Sequence, residues 1–275
     1  MKNSARRWLV VAAFVLLAVE AAYVVGANLF LNSERAFSVI NRKPEKLWLH
    51  WRNGWTVVPG VVHLEALQIR GQDRKFQWHA QVDEITTSVS LWALTAKRFR
   101  TTAVSGSGLS FHMRERLSPG TAPGQDSELF PDIPGLSNPP KRPPEQLYPR
   151  RKLEHPWTIE LRNARISGLR EIWINRFRFE GQGQVQGGMT HVVQGAIEVP
   201  EANITLSAGK AWIGKTLAVE EVALKAGVTL ERFEPRKEKG LAMLPFISAA
   251  VQIQGEISNL DFIKIFFRKI GRAHV

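Results

Sequence analysis

The sequence predicts a mainly β fold: an N-terminal transmembrane helix, then a curved, bulged antiparallel sheet forming an open apolar groove. Three observations support this. A long apolar run sits at the front of the chain. A strand phrase, apolar–x–apolar–x–x–apolar–x–apolar–x–Gly, recurs through the remainder. Helical periodicity is nearly absent behind the first 31 residues.

Trp8 to Leu31 form a 24-residue stretch whose only charge is Glu20. As a helix it would rise about 36 Å, against a hydrocarbon core of about 30 Å. Lys2, Arg6 and Arg7 precede it, and Arg35, Arg42, Lys43 and Lys46 follow it, so flanking charge does not separate the two sides. An N-in orientation is favoured because the basic tail is short and a large domain translocates largely regardless of its charge. Glu20, near the midpoint, requires protonation or a partner. A second reading stays open. Trp8–Val19 has the length of a signal-peptide core, and Val25-Gly26-Ala27 offers small residues for cleavage. Both readings export the rest of the chain.

The strand phrase appears as Val62, Leu64, Leu67, Ile69, Gly71; as Ile159, Leu161, Ala164, Ile166, Gly168; and as Ile172, Ile174, Phe177, Phe179, Gly181. A looser copy runs Leu217, Val219, Val222, Leu224, with its glycine late at Gly227. With 44% hydrophobic residues and 21 glycines in 275, composition alone would supply about one such window. Each copy joins two period-two segments offset by one residue, as a β-bulge does, and a bulge bends its strand.

The elements follow in order. Trp48, His50 and Arg52 against Leu49 and Trp51 suggest a short strand turning at Asn53-Gly54, a strong hairpin dipeptide. Phe76, Trp78, Ala80 and Val82 alternate with polar residues, and Ile85, Thr87 and Val89 continue that strand. Leu91–Lys97 suit one or two helical turns. Leu109, Phe111 and Met113 close the first half. Strands resume over Thr158–Ser167, Glu171–Glu180, Gln182–Gln186, Met189–Val199, Ala202–Ser207, Lys210–Trp212 and Thr216–Glu231, with a further strand around Val251 and Ile253. Ser258-Asn259 can cap a helix with Leu260, Ile263, Phe266 and Phe267 on its apolar side.

Five segments result. Residues 1–31 are a tail and transmembrane anchor, 32–116 a first β-groove segment, and 157–269 a second with its terminal helix. Between these, 117–156 hold ten of the fifteen prolines and few apolar side chains, and read as a disordered insertion. Residues 270–275, Ile-Gly-Arg-Ala-His-Val, can be encoded by a common sequencing-library adapter and break the preceding apolar spacing. They read as a non-native tail on a protein expected to continue. Coding DNA with other codons would refute this.

Lys plus Arg number 37 against 25 acidic residues, a formal charge of +12. For an exported domain this balance suits anionic lipid headgroups better than nucleic acid. The aromatics sit with aliphatics, not in an aromatic-and-Arg platform for bases. Without cysteine, disulfides, thiolate catalysis and Cys-ligated metals are excluded. His50, His63, His79, His112, His155 and His191 lack metal-ligand spacing, and four fall on polar phases of strands, where solvated side chains are expected. No phosphate loop and no G-x-S-x-G elbow occur, and Asp83 and Glu84 point to opposite faces. No enzyme and no cofactor are expected.

The apolar phases are therefore the candidate site: Leu64, Ile69, Phe76, Trp78, Val82, Leu109, Phe111, Ile172, Ile174, Val222, Leu224 and Val228. With almost no helix to cover them, either two sheets pack as a sandwich or one curls around an open interior, and the bulge phrases favour curling. Such a surface outside a membrane suits acyl chains, at about 0.8 kcal/mol per buried methylene.

A family resemblance adds to this reading. A basic N-terminus and anchor followed by Val61–Gly71, Ala80–Ile85, Ser90–Leu94 and Val104–Phe111 resembles the start of an AsmA-like envelope protein. The later phrases and Val251–Phe267 resemble the repeating-β-groove lipid transporters. The resemblance covers most of the chain outside Leu117–Pro156. It implies a single-pass inner-membrane protein with its bulk in the periplasm, moving phospholipid or another anionic lipid toward the outer membrane. Other envelope proteins are possible partners. The alternative is a non-transporting scaffold with a closed sandwich.

Overall fold

The computed structural model describes residues 2–118, 128–142, 154–235, 237–238 and 240–257. The expected terminal helix and the 270–275 tail lie outside them. Helix α1 (Lys2–Leu31) contains a 26-residue stretch, Arg6–Leu31, with mean hydropathy 2.4 and none of its window buried by protein. It is long and apolar enough to cross a membrane. Ser33 ends the run and caps α2 (Glu34–Ile40) by accepting from the Ala36 N–H.

Every described strand belongs to one sheet. In chain order these are β1 (Leu47–His50), β2 (Asn53–Trp55), β3 (Val61–Gln72), β4 (Phe76–Val89), β5 (Arg98–Ser107), β6 (Ser110–Glu115), β7 (Thr158–Ser167), β8 (Glu171–Ile174), β9 (Phe177–Val192), β10 (Ile197–Ile213), β11 (Thr216–Phe233) and β12 (Ile247–Ile257). A short helix α3 (Leu91–Thr95) joins β4 to β5, and a 3₁₀ segment, Gly240–Phe246, precedes β12.

Strand order runs β1-β3-β4-β5-β7-β9-β10-β11-β12. One edge of β4 takes two partners, β5 beside Glu84–Val89 and β6 beside Phe76–Gln81. Strand β9 likewise takes β7 and β8. Because β5 pairs with β7 and β6 with β8, both in parallel, β4, β5, β7, β9, β8 and β6 close a ring of six strands. The open groove expected from the sequence is corrected here. The cause lies at Gly108 (φ 73°) and Gly168 (φ 61°), which interrupt β5–β6 and β7–β8 at the same level. Backbone hydrogen bonds Gly108 N–H to Ser167 O (3.0 Å) and Arg170 N–H to Leu109 O (2.8 Å) knit the two breaks together.

The bulge phrase has a definite backbone meaning. Its extra residue is left-handed at Ala66 (φ 50°), Asn163 (φ 48°) and Glu221 (φ 52°). Registers shift at Leu161/Ala164 and Glu220/Ala223, as a bulge requires, whereas β3–β4 pairing resumes unshifted beyond Ala66. A further instance sits at Ala208 (φ 49°) between Leu206 and Gly209. Glycine at an apolar position hides it from the sequence pattern. The third copy differs: Asn175 (φ 51°) and Arg176 form a two-residue turn between β8 and β9, so it is a hairpin and not a bulge. Asn53-Gly54 is also corrected, since it lies inside β2 and makes no turn. Gly54 is there because a Cβ would meet the Trp51 ring and Leu64 at 3.0 Å.

Residues 128–142, expected to be disordered, pack on the polar side of the sheet. Prolines offer carbonyls without N–H groups, so their partners must be donors from elsewhere. Leu117 N–H donates to Pro140 O (2.6 Å) and Arg70 Nη1 to Pro134 O (2.5 Å). Arg114, with no exposed surface, donates from Nη1 to Pro131 O (3.1 Å) and from Nη2 to Ser137 O (2.9 Å), its Nε bonding Gln77 Oε1 (2.9 Å) in the sheet. Ile133, in the same segment, is fully buried.

Ala208 occupies a conformation that costs an L-residue about 1–2 kcal/mol and glycine little. Ala208→Gly is therefore expected to stabilise the sheet by up to about 1 kcal/mol, net of glycine's larger unfolded-state entropy. Denaturant unfolding in detergent checks this: the midpoint should rise at unchanged slope. A fall would show that the bulge is not strained.

Candidate functional site

Cross-strand partners share a face of a sheet, so the registers show what each face presents. On one side of the irregular positions a row runs Leu64, Ile85, Gly106, Ile166, Val185, Ile204, Ala226, Val251. On the other a row runs Ile69, Ala80, Phe111, Ile172, Phe179, Ala211, Val219. In a regular strand, residues three apart point to opposite faces. Leu64 and Leu67 nevertheless pack in one cluster, and Leu206, Val222 and Phe179 in another. The left-handed residues Ala66, Ala208 and Glu221, each within a single strand, restore the apolar side to the same face.

The irregular positions also align across strands. Registers on either side bracket Ala66 with Asp83, Asp83 with Gly108, and Gly108 with Gly168. Farther on, Gly181 lies against Ala208 and Gly209, and Gly209 pairs with Val222 beside Glu221. Along this seam Leu67, Val82, Leu169, Phe179, Leu206 and Val222 are buried by their neighbours. Gly209 is required there, because a Cβ would enter the Phe179 ring.

All twelve sequence-predicted residues lie on this apolar side, though not in equivalent surroundings. Val82 and Val222 are buried in the seam. Leu64 and Ile69 pack beneath α2, with Ala36 and Phe37 over them. Trp78 lies across Gly71 and pairs with Met113, and Phe76 is more exposed at the strand's start. Leu109, Ile172 and Leu224 flank the Phe179 cluster. Phe111 and Ile174 are half-buried beside them, and Val228 lies on the same side of β11. Toward β12 the face opens, with Val251 60% and Ile253 62% exposed. At the β1–β4 end, α2 and the last residue of α1 lie over this face through Ala36, Phe37 and Leu31.

Sequence reasoning missed the polar face. There Trp48, Arg70, His79, His112, Trp173, Arg178 and Trp212 are successive cross-strand neighbours. Arg70 lies 4.7 Å over Trp48, and Arg178 lies 4.8 Å over Trp173 and 5.7 Å over Trp212. His112 Nε2 and Arg178 Nε each donate to the Glu171 carboxylate at 2.7 Å. Burial pushes the Glu171 carboxyl up, but these bonds outweigh it and hold it below the ordinary carboxylate range. His79, expected to be solvated, is 7% exposed. The signal for this row was the matching polar phase of each strand, legible only once the register is known.

No family model and no curated protein matches the chain.

Desolvation, then the nearby His112 and Arg70, lowers the His79 pKa; burial lowers that of His191. Below about pH 6.5 the unfolded chain therefore binds protons that the folded chain refuses. Stability is expected to be full above that pH and to fall as the pH drops. His79→Gln should flatten the decline between about pH 7 and 5 in thermal unfolding. An unchanged slope would remove His79 from this account.

Proposed function

We propose that the protein is a non-enzymatic, membrane-anchored module that holds lipid acyl chains against the apolar face of its sheet. In this reading α1 crosses the inner membrane once and the sheet lies in the periplasm. The AsmA-like resemblance of Val61–Gly71 and the later strand phrases supports a role in conveying phospholipid toward the outer membrane. The carrying observation is the continuity of the apolar rows across the sheet, from the end beneath α2 to exposed Val251 and Ile253. Half-burying a sixteen-carbon chain would contribute about 6 kcal/mol before ordering costs, at about 0.8 kcal/mol per methylene.

The closed ring of six strands favours a second reading. A sheet that fills its own seam could serve as a scaffold presenting its rim to other envelope proteins. Native mass spectrometry of the detergent-extracted protein separates the two. The lipid reading expects bound phospholipid, lost in Ile253→Glu and Val228→Glu while the unfolding midpoint holds, because Ile253 is exposed and Val228 only half-buried. Wild-type protein that is always lipid-free would support the scaffold instead.

A further inference from the structure

The last turns of α1 are bonded to β2 in a way that sets the depth of the loop beyond it. Asn32 Nδ2 donates to Gly54 O (2.6 Å), and its Oδ1 accepts from Gly54 N–H (3.0 Å). Asn28 repeats this with Thr56, at 2.7 and 2.9 Å. The spacings match: four residues of helix rise about 6 Å and two residues of strand about 6.6 Å. Tyr23 OH then reaches Thr56 Oγ1 at 3.2 Å. As the helix is followed back toward its N-terminus, its partners advance toward Val57–Gly60. That loop therefore runs alongside the apolar part of α1.

From Trp8 to Tyr23 an α-helix rises about 23 Å, short of a hydrocarbon core of about 30 Å, and that length is reached only near Asn28. Thr56, bonded to both residues, sits within the outer part of that core, and Val57 and Val58 follow it. The side chains suit this depth. Trp55 is 42%, Val57 54% and Val58 56% exposed, and no charge occurs from Gly54 to Val62. Next to the loop, where Val89 N–H donates to Gly60 O (2.6 Å), α3 exposes Leu91 at 50% and Trp92 at 86%. Polar groups entering a bilayer must be satisfied internally. Asn28 satisfies both backbone groups of Thr56, Thr56 Oγ1 donates to Val58 O (3.1 Å), and Pro59 has no N–H to satisfy.

We infer that the Trp55–Pro59 loop, with Trp92 beside it, inserts into the bilayer next to α1 and seats this end of the sheet on the membrane. The occupant is the lipid bilayer itself. The inference rests on reading α1 as a membrane anchor, and does not require lipid transport.

The absence of cysteine makes single-cysteine spin labelling of the full chain direct. The protein is reconstituted into vesicles of phosphatidylcholine with a minor share of phosphatidylglycerol. Labels are placed at Val57→Cys, Val58→Cys, Leu16→Cys in mid-helix, and Lys215→Cys in the β10–β11 turn at the opposite end of the sheet. The expected result is a several-fold higher ratio of oxygen to nickel-chelate collisions at Val57, Val58 and Leu16 than at Lys215. Leu16 in lipid with both valines as wet as Lys215 would overturn the loop insertion alone. Leu16 as wet as Lys215 would overturn the anchor as well.

Discussion

A strand that keeps apolar side chains on one face through a bend must lose or gain one residue at the bend, and that residue needs an unusual backbone. Here Ala66, Asn163, Ala208 and Glu221 meet this demand with left-handed conformations, although only asparagine is well suited to it. Their alignment with Gly108, Gly168 and Gly181 turns isolated irregularities into one seam. Were any of them extended, half of its strand would present the wrong face. Tertiary packing overrides the local cost, because Phe179, Leu206 and Val222 are buried only in the bent arrangement.

The same seam divides the labour between the two faces. One carries apolar rows from α2 to β12. The other carries the Arg–Trp–His row and the packed 128–142 segment, held by Arg114. Three asparagines complete the free edge: Asn41 and Asn32 each bond both backbone groups of a strand residue on the side away from β3, Leu49 and Gly54, and Asn28 does the same for Thr56 just beyond β2. Sealing the β1–β2 edge this way protects it from pairing with another chain and fixes α1 to the sheet.

Much of this was legible in residue spacing. The anchor-length helix, the alternation of β4 and the bulges at Asn163 and Glu221 all follow from period and offset, whereas the copy at Ala66 holds a left-handed residue with no shift of register. The misreadings share a cause, which is that local pattern does not fix partners. Asn175-Arg176 carries the same spacing as a bulge but turns the chain, because Ile174 and Phe177 pair with each other. Asn53-Gly54 has hairpin chemistry, yet Asn32 and β3 hold Gly54 in a strand. The described part of the proline-rich segment, 128–142, is held to the sheet by Arg114, which donates to the Pro131 and Ser137 carbonyls. Ring closure depends on Gly108 and Gly168 falling at one level, which requires the parallel β5–β7 register.

The central claim is that the two faces of the sheet meet different surroundings, lipid on one side and water or protein on the other. A phospholipid bearing a photoreactive acyl chain tests it directly, with cross-linked positions mapped by peptide mass spectrometry in reconstituted vesicles. The account predicts adducts at apolar-face positions such as Ile174, Val228 and Val251, and none at Gln186, Lys225 or Arg178. Adducts spread equally over both faces, or confined to α1, would contradict it.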